Sequence, residues 1–251
     1  MKMRVFFLGT NGWYDTNTGS TTCTLVESDE YVLILDAGNG IYNLDRYIPA
    51  ENNKPVYLFL SHFHLDHVIG LHILNKFNSF KTLHIFGKVG TRRILQTFMN
   101  DPFTVPVSML PFRVEIHELT EGIHRIPFRL ECRLLLHSSS CMGYRFELDG
   151  RTLAYCPDTG VCENAITLAK AADLLISECA FKAGQSSPEW PHLNPESAAF
   201  IANEAGARKL VLTHFDANIY RTLDERISAE SRAREIFSNT FVATDGMEVE
   251  V

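Results

Sequence analysis

Three histidines and an aspartate lie within six residues, directly after a strand-like apolar run, and this cluster constrains the chain more than any other feature. The segment reads Ser-His-Phe-His-Leu-Asp-His over residues 61–67. Because side chains alternate on an extended chain, His62 and His64 face the same side, whereas Asp66 and His67 come in the next turn and face a second point. Imidazole together with carboxylate suits zinc, and also iron or manganese. The motif therefore predicts a metal site at the end of a strand.

Four ligands cannot complete the coordination of two metals, so further donors are expected at the ends of other strand-like runs. His137 ends the run RLLLH, Asp158 closely follows RTLAYC, and His214 ends KLVLTH. In a layered α/β protein such strand ends can converge at one edge, where sites form. Two divalent metals about 3.5–4 Å apart can share a hydroxide. The pattern predicts two divalent ions, Zn²⁺ before Mn²⁺ or Fe²⁺, with these ligands: His62, His64 and His137 for one metal, Asp66, His67 and His214 for the other, and Asp158 as a bridge.

The remainder of the chain alternates strand-like and helical patterns. Runs of β-branched and aromatic residues recur along it, and helical spacing predicts helices over residues 88–99 and 163–172. A third helix is predicted over residues 194–206, because Asn194 suits an N-cap and Pro195 suits the first helical position. Strands dominate the first part and βα alternation the last part. This indicates an α/β fold with much antiparallel pairing.

Length and composition define the class of protein. The 251 residues are 45% hydrophobic and 21% charged, which is typical of a globular chain and excludes a disordered one. This length is ordinary for one domain, expected here to span residues 1–251. No apolar run approaches the roughly 18 residues of a membrane span, and the amino-terminal run is too brief for a signal peptide. The six cysteines form no CxxC pair and are expected to be reduced thiols, so we expect a cytoplasmic protein.

The ligand pattern resembles that of the metallo-β-lactamase superfamily. The histidine motif, His137, Asp158 and His214 match the metal ligands of that family in chain order, and the early segments LGTNG and LDAG match as well. The resemblance covers nearly the whole chain. It implies an α/β fold of the four-layer αβ/βα type, in which two mixed sheets pack face to face, helices lie outside, and the dimetal site lies at one edge.

Within that superfamily the chain most resembles the ribonuclease Z-like group. That group places a histidine shortly before a helix, with the last metal ligand at the end of the next strand, and His192 in the segment WPHLN has this position. The group usually has threonine where Asn194 stands. The resemblance implies a catalytic role for His192, which would stabilise the leaving oxygen or donate a proton to it. Asp66 is a second catalytic candidate, because a free carboxylate oxygen can orient the nucleophile.

Ribonuclease Z proper carries a long arm that grips transfer RNA. In the commonest bacterial form this arm lies between the third histidine ligand and the bridging aspartate. Between His137 and Asp158 this chain has room only for two strands joined by an Asp-Gly turn. Because the formal net charge is also −7, structured transfer RNA is not expected to be a substrate.

The expected activity is that of a dinuclear-metal hydrolase that acts on a small or nucleotide phosphodiester through a metal-bridging hydroxide. The same ligands serve ester, thioester and lactone hydrolases, so this alternative stays open, as does a tRNA 3′-end endonuclease. A non-hydrolytic redox or sensor protein is least favoured, because a di-iron site of this fold usually has glutamate where His64 stands.

Several neighbouring residues have less specific patterns. The Pro-rich residues 101–112 fit a lid, a homodimer surface or the core equally well. Arg221 and the serines at 138–140 are candidate phosphate contacts. Phe63 and Leu65 occupy the variable positions of the metal loop and are expected to pack beneath it.

Overall fold

The strand-like runs of the sequence form two seven-stranded sheets and one two-stranded sheet in the computed structural model, which describes residues 3–251. The strands are β1 (Arg4–Gly9), β2 (Asn11–Gly12), β3 (Cys23–Glu27), β4 (Val32–Leu35), β5 (Val56–Phe59), β6 (Thr82–Lys88), β7 (Arg113–Leu119), β8 (Gly122–Arg125), β9 (Arg129–Leu135), β10 (Cys141–Leu148), β11 (Arg151–Cys156), β12 (Leu174–Glu178), β13 (Leu210–Thr213), β14 (Phe215–Asp216), β15 (Thr240–Val242) and β16 (Glu248–Glu250). The α-helices are α1 (Leu65–Val68), α2 (Thr91–Phe98), α3 (Glu163–Ala169), α4 (Pro195–Glu204) and α5 (Leu223–Arg234). Short 3₁₀ helices cover Asn39–Arg46, Ile69–Lys76 and Val107–Met109.

Both large sheets are mixed. The first has the order β16–β1–β3–β4–β5–β6–β7, antiparallel as far as β4 and parallel from β4 to β7. The second has the order β15–β13–β12–β11–β10–β9–β8, parallel as far as β11 and antiparallel from there to β8. Strands β2 and β14 form the small parallel sheet.

Three apolar cores separate the layers. The two large sheets enclose the central core, where the ring of Phe59 lies 5.4 Å from that of Tyr144 and 4.8 Å from that of Phe146. A second core packs the 3₁₀ helices and α2 against the outer face of the first sheet. A third packs α3, α4 and α5 against the outer face of the second sheet. The predicted four-layer sandwich is confirmed.

The three predicted helices are present, with slightly shorter bounds. The start of α4 has a complete capping box, in which Asn194 Oδ1 accepts the Ser197 N–H at 2.8 Å and Ser197 Oγ accepts the Asn194 N–H at 2.9 Å. Asparagine therefore fills the capping role where threonine is usual. The sequence pattern does not predict α5, because the face that it buries consists of Arg226, Ala229 and Ala233 and has no stripe of large apolar residues.

Strand direction brings the sequence-predicted donors to one edge of the sandwich. Strands β9, β11, β12 and β13 all run the same way, because β10 is antiparallel to both β9 and β11. Their carboxyl ends therefore lie together. The end of β5 joins them through two hydrogen bonds between the sheets: Met142 N–H to Ser61 O at 2.9 Å and Tyr144 Oη–H to Leu60 O at 2.7 Å.

The six cysteines are free thiols, as predicted, and five of them are buried. None of the helices within residues 3–251 combines the length and the apolar character that crossing a membrane requires.

Candidate metal centre

Two groups of donor atoms meet where the strands end. In the first, His62 Nε2 lies 3.0 Å from His64 Nδ1, which lies 3.3 Å from His137 Nε2. Asp158 Oδ2 lies 3.7 Å from His62 Nε2 and 3.6 Å from His137 Nε2. The first three predicted ligands and Asp158 are thus brought together.

The second group contains Asp66, His67 and His214, which α1 and the end of β13 bring into contact. His67 Nε2 lies 3.0 Å from His214 Nε2, which lies 3.3 Å from Asp66 Oδ2. Asp158 Oδ1 lies 3.1 Å from His67 Nε2 and 3.2 Å from His214 Nε2. One oxygen of Asp158 therefore faces each group, which is the geometry expected of a bridging carboxylate.

The donor set fits divalent metal ions. Asp158 Oδ1 is buried and accepts no hydrogen bond, although an unpartnered carboxylate oxygen is costly in a protein interior. Imidazole nitrogens 3.0 Å apart direct their lone pairs to common points, and imidazole with carboxylate is a typical zinc, iron or manganese ligand set. A cation between these atoms would satisfy all of them. The assignment of each residue as a ligand stays a prediction.

The pKa shifts keep only some of the donors in the forms that bind metals. Burial disfavours protonation of His67 and His214, but the neighbouring carboxylates, chiefly Asp158, outweigh it and raise the pKa of both, so a metal would have to displace a proton from each ring. Burial lowers the pKa of His137 to about 4 and that of His62 well below its usual value, so both imidazoles are neutral. Burial disfavours ionisation of Asp66, but His67 and His214 outweigh it and lower the pKa of this carboxyl. Asp158 is kept ionised in the same way.

A buried carboxylate that the metal motif does not contain orients His67. Asp36 Oδ2 accepts the His67 Nδ1–H at 2.8 Å, the Ser61 Oγ–H at 2.7 Å and the Tyr155 Oη–H at 2.7 Å. These bonds leave Nε2 of His67 directed at the second donor group, and such support typically accounts for about 10–100-fold in metal affinity or activity. The early LDAG segment includes Asp36, but nothing in its local sequence shows the contact.

The glycine that ends the early LGTNG segment, Gly12, is required by its contact with a predicted metal ligand. A Cβ at Gly12 would lie 2.6 Å from Cε1 and 2.9 Å from Nε2 of His214. Only glycine lets the backbone approach this ring so closely.

The other catalytic candidate, His192, lies beside the centre and has a buried partner. Its Nδ1 lies 2.7 Å from Oε1 of Glu178, which is fully buried at the end of β12 and also accepts the backbone N–H groups of Thr159, Ala180 and Leu193. Burial alone would lower the pKa of His192, but Glu178 reverses this and raises the pKa to about 9. One nitrogen of His192 lies within 4.8 Å of donor atoms of Asp158 and His214. The sequence pattern offers no signal for Glu178 beyond its place at the end of a strand.

The centre opens into a cavity of about 620 Å³, within the range of small-ligand sites. Leu65 lines this cavity and is 62% exposed, so the expectation that it packs beneath the loop is wrong. Phe63 does pack on the core beneath. Residues 101–112, Arg221 and the serines at 138–140 are not among the lining residues.

A further donor group lies apart from the centre, on the neighbouring strands β6 and β7. His84 Nδ1 lies 3.3 Å from His117 Nε2 and 3.2 Å from Glu115 Oε2. These partly exposed residues could hold a metal ion of their own, which would add to the metal content measured for the chain.

Comparison with known proteins agrees with this geometry. The family model described as a beta-lactamase superfamily domain matches residues 31–215. The chain belongs to the metallo-β-lactamase superfamily. The probable metallo-hydrolase YhfI of Bacillus subtilis is 33% identical over an alignment of 221 residues that covers 84% of this chain and 86% of that protein. The crystal structure of YhfI, a metallo-β-lactamase fold protein, superposes with a TM-score of 0.81 and 27% identity, covering 100% of this chain and 99% of the other.

The chain lies in the ribonuclease Z-like branch of the superfamily. Ribonuclease Z of Lactiplantibacillus plantarum is 25% identical over an alignment of 305 residues that covers 97% of this chain and 96% of that protein. Between His137 and Asp158, all of which the structure describes, the only strands are β10 and β11, which pair as a hairpin. The predicted absence of an arm from this interval is confirmed.

The same fold occurs in a diphosphatase of the PhnP family. That structure superposes with a TM-score of 0.72 and 15% identity, and the match covers 99% of this chain and 98% of the other. The members of the superfamily that resemble this chain include a probable metallo-hydrolase and a ribonuclease, and the chain is a hydrolase of this fold.

Proposed function

We propose that the protein is a dinuclear-metal phosphodiesterase whose substrate is a small or nucleotide phosphodiester. The observation that carries the proposal is the position of His192, whose Nδ1 lies 2.7 Å from the buried Glu178 and which lies next to two donor groups that share Asp158. Ester hydrolysis of any kind can use the metals, but a protonated imidazole is especially suited to the charge that develops on a phosphorane and on an alkoxide leaving group.

The residues of the chain divide the work. Divalent ions held by the two donor groups would lower the pKa of a water molecule and neutralise charge on the substrate. Oδ2 of Asp66 lies in the second donor group and accepts the backbone N–H of Trp13 at 2.7 Å, so the other oxygen of this carboxylate is the one that would orient the attacking water. His192, with Nδ1 engaged by Glu178, offers Nε2–H to the leaving oxygen.

Purification without chelator is expected to yield about two divalent ions per chain at this centre, mainly zinc, because the predicted ligands form two donor groups that share Asp158. Elemental analysis measures this. The count is made in a His84→Ala/His117→Ala background, which removes the separate donor group. Replacing His62 and His64 together in that background should lower the content to about one ion or less. A content below one that these replacements do not change would refute the metal centre.

As the pH is raised, the activity of the Glu178→Gln variant is expected to decline at a lower pH than that of the unchanged enzyme. His192 donates a proton only below its pKa, so activity falls as pH rises through that value. Without the carboxylate the pKa falls, and the alkaline limb should move down by at least about one pH unit. The measurement is kcat against pH for a diester with an alkoxide leaving group, whose departure needs the proton. Glu196→Gln is the control, because Glu196 pairs with Arg232 and not with His192. An alkaline limb that stays in place would exclude His192 as the titrating group.

The substrate class is tested by assaying bis-p-nitrophenyl phosphate, a thioester and a lactone in parallel. The proposal expects the highest kcat/KM for the phosphodiester, and it expects activity to vanish when metal is removed. Higher kcat/KM for the thioester or the lactone would establish the carboxyl-ester alternative instead. Precursor transfer RNA serves as a fourth substrate, for which little cleavage is expected.

A further inference from the structure

We propose that Trp13 and Trp190 form an aromatic pair that stacks on the planar base of the substrate, which makes the substrate a small nucleoside phosphodiester that carries few charges. The inference rests on the proposed phosphodiesterase function for the reaction, but base binding by the pair is independent of it.

Both tryptophans of the sequence line the cavity of the metal centre. Trp13 is 65% exposed and Trp190 is 49% exposed. Tryptophan is seldom left in water, because its indole has more apolar surface to bury than almost any other side chain. Two exposed indoles in one cavity therefore indicate a ligand surface.

Trp190 covers the predicted ligands of the first metal. Its ring is nearly parallel to that of His64, at 12° with 6.0 Å between centroids, and it lies 5.9 Å from the rings of His137 and His192. A planar group on the exposed part of this indole would lie next to the metals and to the proposed proton donor.

Trp13 is held by the other side of the centre. Its backbone N–H donates to Asp66 Oδ2 at 2.7 Å, and its φ of 75° lies in the left-handed region that residues other than glycine seldom adopt. Such strain persists where the surroundings enforce it, and it clusters at ligand sites.

Hydrogen bonds from the buried guanidinium group of Arg226 hold the segment that carries Trp13 in place. Arg226 is fully buried in α5 and donates to Thr10 Oγ1 at 2.8 Å and to Asn11 Oδ1. Asn11 Nδ2 donates in turn to the carbonyl oxygens of Tyr14 at 3.1 Å and Gly19 at 2.8 Å. The indole is therefore presented on an ordered loop, so that little entropy is lost when a ligand binds.

Within the described residues, the cavity offers no lysine or arginine to an extended polyanion. Among its lining residues, all within the described part of the chain, are Asp66, Asp158 and Asp216, but neither lysine nor arginine. Nucleic acids with many phosphates are bound chiefly by such cations. Stacking needs no charge and depends little on which base is present. The cavity thus suits one phosphate at the metals and one base on the tryptophans.

The test compares adenosine 5′-monophosphate with ribose 5-phosphate, which has a hydroxyl group in place of the planar base. Both are titrated as inhibitors and as quenchers of tryptophan fluorescence, which reports only on the site because both indoles line it. We expect the nucleotide to bind at least about 5-fold more tightly. Trp13→Ala and Trp190→Ala should each weaken its binding by roughly 5- to 150-fold, while ribose 5-phosphate changes by less than about 2-fold.

Two further sets of variants control the comparison. Trp13→Phe and Trp190→Phe keep an aromatic ring and should retain most of the affinity. Each variant also leaves a single indole, so its fluorescence quenching reports on the tryptophan that was not replaced. Phe103→Ala removes an exposed aromatic side chain outside the cavity and should change nothing. Metal content is measured for every variant, so that loss of the centre is distinguished from loss of stacking.

Equal binding of the two ligands by the unchanged protein would overturn the proposal without any variant, and so would losses that are the same for both. If the protein hydrolyses bis-p-nitrophenyl phosphate but binds the nucleotide no more tightly than ribose 5-phosphate, the aromatic pair is refuted and the phosphodiesterase function stands. Base preference without phosphodiester hydrolysis would uphold the pair and refute the proposed reaction.

Discussion

Replacing Asp158 by alanine is expected to abolish hydrolysis and to reduce the metal content of the chain. Its two oxygens face different donor groups, 3.1–3.7 Å from the nearest imidazole nitrogens, so one substitution removes a ligand from both. Changes to residues that merely support ligands cost about 10–100-fold, and a shared ligand should cost at least the upper value. Activity on bis-p-nitrophenyl phosphate and elemental analysis of the same preparation measure the two effects.

Asp216→Asn is the matched control, because Asp216 is a carboxylate that lines the same cavity but belongs to neither donor group. It should keep both metals. An Asp158→Ala protein with two metals and most of its activity would show that the turn after β11 does not bridge the centre.

The His192→Ala variant is expected to keep its metals and to lose turnover by roughly 10²–10⁴-fold, the usual range for a general acid. The loss should be large for diesters with an alkoxide leaving group, which needs a proton. It should be much smaller for p-nitrophenyl esters, because p-nitrophenolate leaves without one. The measurement is kcat for a series of diesters that differ only in the leaving group.

His124→Ala provides the control, because His124 is a histidine whose Nε2 contacts only the carbonyl of Thr120 on a surface hairpin. A loss that is uniform across the leaving groups would argue against proton donation by His192. An unchanged turnover would leave its contact with Glu178 as a purely structural feature.

The local sequence by itself determined the chemistry of the centre. The spacing of His62 and His64 makes them face one point, since side-chain direction on an extended chain depends only on position. The donors His137, Asp158 and His214 were candidates because each follows a strand-like apolar run and because together they match the ligand order of the superfamily. Alternation of such runs with helical segments also determined the layered α/β fold.

Tertiary structure alone decided what surrounds these donors. Asp36 meets His67 across 31 residues, Glu178 meets His192 across 14, and Asp66 meets the backbone of Trp13 across 53. These contacts depend on which strand ends and loops become neighbours when two sheets pack together, and no local pattern encodes that. Leu65 and the two tryptophans illustrate the same limit: hydrophobicity predicts burial, but the cavity leaves these side chains exposed at its wall. The sequence could therefore name the residues that are predicted to bind metal, whereas the groups that orient them and line the cavity emerged only from the packed fold.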